Sequence, residues 1–459
     1  MKFTKKLWKD FLICVKIFFD CENKKHFFGS DIMKYNFNKK DVSQAVSFCS
    51  ITSDDFKTAC ASLNFVIPLS GKASLFALIP NVLTRSSAKY PDLTAIEKKL
   101  ALLYGAEVAV DVSKSGEHQS LKIEISCVDD RFAIDGESIS DECCKMLFEL
   151  VFNPKLENGA FEKNVVESEK RLLCERLATE KSDKRAYAKN RCEEIMFADE
   201  VYGINRLGTI EAIEAVTPES LYEAYKELLK TAVITMCVSG GKFSGAEKMF
   251  EAQMQGISRE PELNETLFVE SAEDVQYEKE QEDVKQGKLV MGFRMGMKNM
   301  EDNYSARRIM VDLFGGSPHS KLFTVVREKM SLCYYCSARF NRNKGVMFVQ
   351  SGIESYNEEK AREAILAQLE DIKNGDFSDE DLQASKKSLE DGFKTVTDSP
   401  EALDSWFTSQ TITGKYLYPE DFIDGFNKVT REDVINAAKD VTLDTVFMLE
   451  GTAEGGDEE

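Results

Sequence analysis

Two side chains in the stretch 313–335, LFGGSPHSKLFTVVREKMSLCYY, have the residue types and spacing for catalytic work. Arg327 supplies a permanent positive charge and a fork of N–H donors, and the phenol of Tyr334 supplies a directed O–H. A cation beside a hydrogen-bond donor is the combination that stabilises a developing oxyanion. The structural alternative is an ordinary helix-to-strand junction, with Arg327 at the surface and Tyr334 half-buried.

The elements that would position these residues can be read from the same stretch. Gly315 and Gly316 allow positive φ, and Pro318 fixes φ in the first turn of the segment that follows. Apolar residues then recur near helical spacing, and the run LCYYCSARF has the composition of a strand. The layout predicts Arg327 late on a helix and Tyr334 on the strand that leaves it.

The pattern G-G-x3-S-x-L-F-x3-R-E-x3-L-x-Y resembles the C-terminal half of insulinase/pitrilysin-type metallopeptidases, also called inverzincins. In that family an Arg and a Tyr grip the substrate backbone at a zinc site. The resemblance therefore implies a catalytic role for Arg327 and Tyr334, and substrate binding at Gly315 and Gly316. Ser331 stands where the family usually has Gly.

An internal duplication can be seen without reference to any family. NGAFEKNVVESEKRLL at 158–173 matches NGDFSDEDLQASKKSL at 374–389, and VTPESLYEAYKELL at 216–229 matches VTREDVINAAKDV at 429–441. Two independent matches at offsets of 216 and 213 residues indicate a repeated αβ unit. The resemblance implies the same α+β architecture: two homologous αβ domains that form half of a clamshell chamber, metallopeptidase-like as in LuxS and mitochondrial processing peptidase.

Composition and periodicity divide the chain into five parts. The first residues of the chain are basic and then apolar. Three interpretations are open: a membrane-surface helix, a packing arm, or an extension that precedes a true start at Met33. One long charged helix is expected over about 160–198, and Thr217 is expected to cap a later helix. The parts are an N-terminal extension (1–42), a first αβ domain lacking the zinc motif (43–245), an acidic linker (246–286), a second αβ domain with the Arg/Tyr stretch (287–451) and a disordered tail (452–459).

The zinc motif of the resembled family is absent from the matching positions. That family carries His-x-x-Glu-His on a helix of its first domain, with a further Glu downstream. Here the helix reads from Ala77 to Asn81 as Ala-Leu-Ile-Pro-Asn, and Arg176 falls on or next to the downstream position. The three histidines lie far apart in the sequence, at His26, His118 and His319. The sequence therefore predicts no metal site and no cofactor.

Charge and cysteine content exclude several function classes. The balance of 59 basic against 79 acidic residues gives a net charge of −20 with no basic stripe, which argues against nucleic acid as a partner. No apolar run is long enough for stable membrane insertion. Twelve irregularly spaced cysteines fit a reducing cytoplasm, and Cys333 and Cys336 are expected to be core residues although they form a CxxC.

The leading hypothesis is a division of labour between two subunits. The resemblance implies a zinc-less subunit of a heterodimeric zinc metallopeptidase, which gives Arg327 and Tyr334 to the active site of an HxxEH-bearing homologue. Its substrate would be a peptide or unfolded polypeptide, with a connection to the modification of elongation factor P. The alternative is a non-catalytic peptide-binding or scaffold subunit of the same fold. An independent Ser or Cys hydrolase is disfavoured, because no nucleophile motif with a His partner is found.

Overall fold

The computed structural model describes residues 35–134 and 136–451. The predictions for most of the N-terminal extension and for the 452–459 tail lie outside these residues. The first half contains, in chain order, β1 (Asn36–Ser43), β2 (Val46–Thr52), β3 (Thr58–Pro68), α1 (Ala73–Leu83), α2 (Leu93–Leu102), β4 (Glu107–Ser115), β5 (His118–Val128), α3 (Ile139–Phe152), β6 (Leu156–Glu157), β7 (Ala160–Phe161), α4 (Lys163–Ser182), α5 (Lys184–Met196), α6 (Ile210–Glu214), α7 (Pro218–Thr231), β8 (Val233–Ser239) and α8 (Ala246–Met254).

The second half follows the same plan. It contains β9 (Gln276–Glu282), β10 (Gly287–Arg294), α9 (Tyr304–Val311), a wide π turn (Asp312–Gly316), α10 (Leu322–Lys329, also with π-type turns), β11 (Tyr335–Asn341), β12 (Val346–Ile353), α11 (Glu358–Lys373), α12 (Asp379–Lys394), α13 (Pro400–Thr408), α14 (Pro419–Lys428), α15 (Arg431–Lys439) and β13 (Thr442–Gly451). Short 3-10 turns lie at Asp130–Phe132, Val201–Gly203, Ser355–Asn357 and Thr395–Asp398.

The topology of the two sheets confirms the duplication. The first sheet has the order β1-β2-β8-β3-β5-β4, and the second, taken in the matching direction, has the order β9-β13-β10-β12-β11. From β2 onward each strand of the first sheet has a counterpart in the second. Apart from α5 and α13, each half packs its helices over one face of its own sheet and buries a separate apolar core there. The α+β fold with two homologous domains is therefore as predicted.

Equivalent helices begin with equivalent caps. The Thr217 hydroxyl accepts a hydrogen bond from the Ser220 N–H at the start of α7, where Pro218 takes the first helical position. Thr430 accepts from the Asp433 N–H in the same way at the start of α15. Each cap satisfies N–H groups that the first turn leaves without partners. The predicted Thr217 cap is confirmed.

The helix predicted over about 160–198 is two helices. The Asp183 carboxylate accepts hydrogen bonds from the N–H groups of Arg185 and Ala186, which ends α4 and caps α5. The break lets α5 leave the first half and cover the opposite face of the second sheet. Its apolar residues pack there in a cluster of Ala188, Cys192, Met196, Phe197, Tyr202, Val290, Val346, Phe348, Phe447 and Leu449.

The second half makes the reciprocal contact with the first sheet. Helix α13 crosses to the first sheet, on the face away from α1 and α3, where Leu403 and Phe407 join a buried cluster with Cys49, Ile51 and Cys237. Each half thus covers the other's sheet with one helix, and α5 and α13 follow the equivalent helices α4 and α12 of the repeat. This exchange makes the two domains one packed unit.

Two predicted boundaries differ from the structure. Strand β1 begins at Asn36, inside the segment assigned to the N-terminal extension, and α8 and β9 lie inside the segment assigned to the acidic linker. Strand β9 reads QYEKEQE and pairs only with β13, in parallel, at the edge of the second sheet. An edge strand that is exposed on both faces buries no side chains, so it needs no alternation of apolar and polar residues. For this reason the charged sequence of β9 was interpreted as a linker. Within the described parts of the chain, no helix is both long and apolar enough to cross a membrane.

Candidate substrate-positioning site

Arg327 lies in the last turn of α10, as predicted, and its side chain is accessible. The guanidinium stacks over the Phe323 ring, 4.5 Å from its centroid, and lies 3.4 Å from the Glu328 carboxylate. About a third of the side chain is exposed (37%), so these contacts orient the cation without removing it from solvent. Such a stack limits the motion of a long side chain while leaving its N–H donors free to bind.

Tyr334 lies in a bend immediately before β11, one residue ahead of the strand on which the sequence placed it. Its N–H still donates to the Gly352 carbonyl at 2.8 Å, so the backbone is already held against β12. The ring is 53% exposed, and its hydroxyl donates to Oε1 of Glu354 at 2.6 Å. This hydrogen bond to a carboxylate raises the pKa of Tyr334.

The turn between Arg327 and Tyr334 depends on a left-handed residue. Ser331 has φ of +52°, a conformation that costs a non-glycine residue about 1 kcal/mol or more. On either side of it, the Met330 N–H donates to the Val325 carbonyl at 2.9 Å and the Leu332 N–H to the Val326 carbonyl at 3.2 Å. These two bonds close the helix end, so the turn forms although serine replaces the glycine usual in the resembled family.

The two glycines act through close packing rather than through positive φ. Gly315 is buried with φ of −157°, and a Cβ there would lie 2.8 Å from both Cβ and N of Ala338 on β11. Gly316 is exposed, and a Cβ there would lie 3.0 Å from Oδ1 of Asp312. The expected backbone freedom is therefore not the reason for Gly315: its missing side chain lets the π turn reach β11. Their substrate-binding role remains a prediction.

Cys333 and Cys336 flank Tyr334 and are both buried, as expected of core cysteines. The hydrogen bond from the Cys336 thiol lowers the pKa of Cys333, and the Arg327 charge contributes in the same direction. Arg327 lies in the last turn of α10, and Tyr334 lies in the bend that follows the left-handed Ser331. Arg327 and Tyr334 therefore lie at the two ends of one turn.

Comparison with known proteins places this fold. Residues 215–389 match the family described as "Peptidase M16 inactive domain". "Probable inactive metalloprotease YmfF" of Bacillus subtilis (strain 168) is 31% identical over 88% of this chain and 95% of its own. The chain belongs to the M16 family.

Two solved structures share the fold of this chain. A conserved protein from Enterococcus faecalis V583 superposes with a TM-score of 0.83 at 26% identity, over 92% of this chain and 100% of its own. The first half of the periplasmic protease PqqL from Escherichia coli has the same fold, with a TM-score of 0.67 at 13% identity over 92% of both chains. The two αβ domains therefore correspond to one half of an M16-type structure.

The positions that the resemblance assigns to the zinc motif, Ala77 to Asn81, lie on α1. Ala77 is fully buried and has no donor atom, and the Asn81 amide donates to the Ala77 carbonyl at 3.2 Å within the helix. Between residues 35 and 451, position 135 apart, no three His, Cys, Asp or Glu side chains form a group that could hold a metal ion. These residues do not fit zinc. The chain is a homologue of a protein described as a probable inactive metalloprotease, and its own match is to the family's inactive domain.

Helices α1 and α4 are joined by an ion pair. Nε of Arg85, just beyond α1, lies 2.6 Å from Oε1 of Glu169 on α4, and Glu169 is almost fully buried. Arg176 takes no part in it. Its side chain is 45% exposed and approaches Glu180, one turn further along α4, at 3.9 Å. Arg176 is therefore a helix-surface residue and does not fill a site between α1 and α4.

Sequence reasoning missed two residues of the site, Glu354 and Gln286. Tyr334 precedes β11, Glu354 follows β12, and Gln286 precedes β10; these are three neighbouring strands of one sheet. The Tyr334 hydroxyl donates to the Glu354 carboxylate, and hydrogen bonding by the Gln286 side chain partly offsets the resulting rise in the pKa of Tyr334. Only the strand order brings the three together, and sequence spacing gave no signal for it.

Proposed function

We propose that this chain is the zinc-less subunit of a heterodimeric M16 peptidase. It supplies Arg327 and Tyr334 to the active site of a homologous HxxEH-bearing subunit, which supplies the metal. Arg327 holds and neutralises the substrate carbonyl oxygen as charge develops on it, and the Tyr334 hydroxyl donates to the same oxygen. The substrate is a peptide or an unfolded polypeptide, in the cytoplasm, and modification of elongation factor P is the setting that the resemblance implies.

The observation that carries this proposal is the unequal state of the two halves. The first half has lost the metal-binding side chains on α1. The second half keeps an Arg and a Tyr that are accessible, lie at the two ends of one turn and are held by an aromatic stack and by a strand-end hydrogen bond. Neither residue contributes its side chain to an apolar core. Accessible polar groups on a well-packed support are typical of binding and catalytic sites.

The test uses co-expressed complex with the HxxEH-bearing homologue of the same genome. Tyr334→Phe keeps the ring and removes only the O–H. We expect peptide hydrolysis to fall roughly a hundred- to thousandfold, the usual loss for one oxyanion donor. Arg327→Ala should lower peptide hydrolysis by a similar factor and should also raise KM. Assembly of the complex, followed by size-exclusion chromatography with light scattering, should not change.

Tyr335→Phe is the matched control. The Tyr335 ring packs under the Arg185 guanidinium at 4.3 Å and lies against Gly352, so loss of its hydroxyl leaves this packing in place. We expect turnover at the wild-type rate. If Tyr334→Phe and Tyr335→Phe both cleave at the wild-type rate in a stable complex, Tyr334 is structural and the chain is a peptide-holding scaffold.

A further inference from the structure

We propose that Glu354 is a latch on Tyr334: it binds the Tyr334 hydroxyl in the free chain and must release it before Tyr334 can donate to a substrate. The inference rests on the proposed function and adds a residue that controls the site. Glu354 is a positioning residue, since it acts through Tyr334.

The Tyr334 hydroxyl has a single proton to donate. A phenol has one O–H and can donate one strong hydrogen bond. At 2.6 Å from a carboxylate oxygen, the Tyr334 proton is committed to Glu354. Hydrogen bonding by the Gln286 side chain, on the other neighbouring strand end, only partly offsets the rise in the pKa of Tyr334 that Glu354 causes. With its one proton donated to Glu354, the hydroxyl is not available to a carbonyl oxygen.

The fold supplies an internal comparison for Glu354. Asp129 follows β5 as Glu354 follows β12, and each residue precedes a 3-10 turn. In the first half the Asp129 carboxylate caps its own turn, accepting from N–H of Arg131 at 2.8 Å and from its Nε at 3.0 Å. Glu354 makes no such cap. The same position of the duplicated fold therefore serves its own turn in one half and reaches Tyr334 in the other.

Tyr334 and Glu354 are placed so that the contact can open. Tyr334 is half-exposed in a bend, and Glu354 lies at a strand end and is only partly buried. Opening the contact costs the hydrogen bond but breaks no core packing. The groups that act on the Tyr334 phenol are Glu354, Gln286 and the exposed Tyr356. Of these, the Glu354 carboxylate is the negatively charged acceptor at neutral pH.

The first measurement uses the chain alone. The signal of Tyr334 in a chain labelled with 13C at the tyrosine Cζ atoms is assigned by its loss in Tyr334→Phe. Glu354→Gln should lower the pH at which this signal titrates, because the neutral amide no longer favours the protonated phenol. No change in that titration would overturn the latch, whether or not the chain takes part in peptide hydrolysis.

The second measurement is a double-mutant comparison in the complex with the HxxEH-bearing homologue. Glu354→Gln should raise kcat/KM about fivefold, since a charge-assisted hydrogen bond is roughly twice as strong as a neutral one. In the Tyr334→Phe background the same change should have no effect. A lower or unchanged rate in Glu354→Gln alone would overturn the latch. Absence of any turnover in the wild-type complex would overturn the proposed function, and the titration of the free chain would still decide the Tyr334–Glu354 contact.

Discussion

The ammonium of Lys122 on β5 lies 2.6 Å from the carboxylate of Asp404 on α13, although the two residues belong to different halves of the chain. Asp404 is fully buried and also accepts a hydrogen bond from the Ser62 hydroxyl at 2.6 Å. Burial lowers the pKa of Lys122, but the carboxylates of Asp404 and Glu124 outweigh it and raise the pKa overall. Lys122 therefore keeps its charge, and its contact with Asp404 fixes where α13 lies on the first sheet.

Asp404→Ala should destabilise the protein by about 3–5 kcal/mol, because it leaves the Lys122 charge buried with one partner fewer. Urea unfolding of the chain, followed by circular dichroism, measures the loss. The control is Asp391→Ala, which removes the Lys387 partner from a pair on α12 whose side chains are 60% and 58% exposed. That variant should unfold at the wild-type urea concentration. Equal effects of the two substitutions would show that α13 does not pack on the first sheet.

The left-handed conformation of Ser331 predicts a stabilising substitution. Ser331→Gly should raise the free energy of unfolding by about 0.5–1 kcal/mol, because glycine adopts positive φ without strain but loses more entropy on folding. Ser409 is the control: it follows α13 with φ of −63°, a right-handed conformation. Ser409→Gly should lower the stability. If Ser331→Gly lowers it equally, the turn before Tyr334 does not have the left-handed geometry.

At Gly315, in contrast to Ser331, the substitution should lower the free energy of unfolding. Gly315→Ala would put Cβ 2.7 Å from Cδ1 of Leu322 and 2.8 Å from the Ala338 backbone nitrogen, so β11 or the π turn must move. We expect a loss of about 1–3 kcal/mol from overpacking. Gly392, inside α12, has no atom within 4 Å of such a Cβ, and Gly392→Ala should stabilise the helix by roughly 0.5–1 kcal/mol. Thermal unfolding of the two variants gives both signs in one experiment.

The duplicated core could be predicted from the sequence because its signals are local. Apolar periodicity, Thr217 with Pro218, and two repeated patterns are each contained within a short segment. The break at Asp183 was missed because α4 and α5 are both helical, and only a cap of one residue separates them. Strand β9 was missed because an edge strand paired on one side can be charged throughout.

The candidate site, too, could be predicted only in part from the sequence. The placement of Arg327 on a helix end followed from the pattern, and Tyr334 was displaced by one residue because Ser331 and the bend after it use up chain before pairing begins. Glu354 lay outside any sequence argument, since its nearness to Tyr334 is a consequence of β11 lying beside β12. A contact between strand ends depends on register, which local composition does not specify.

The buried carboxyl of Asp312 gives a prediction for the pH dependence of stability. Asp312 lies in the π turn, almost fully buried, and burial raises its pKa in spite of the Arg308 charge and nearby serine hydroxyls. A folded-state pKa above the unfolded one means that ionisation opposes folding at neutral pH. The penalty disappears as the pH falls through the raised folded pKa towards the unfolded value.

Asp312→Asn should therefore stabilise the chain at neutral pH, by on the order of 1 kcal/mol for a buried group relieved of its charge. The advantage should shrink as the pH falls and be lost below the ordinary pKa of aspartate. Asp433 is the control of opposite sign: hydrogen bonds from the Thr430 side chain and backbone lower its pKa, so its charge stabilises α15. Asp433→Asn should destabilise at neutral pH, and this difference too should vanish in acid. Urea unfolding of the three proteins between neutral and acidic pH measures both curves. If the free energies of unfolding of Asp312→Asn and the wild type change in parallel with pH, the pKa of Asp312 is not raised in the folded state.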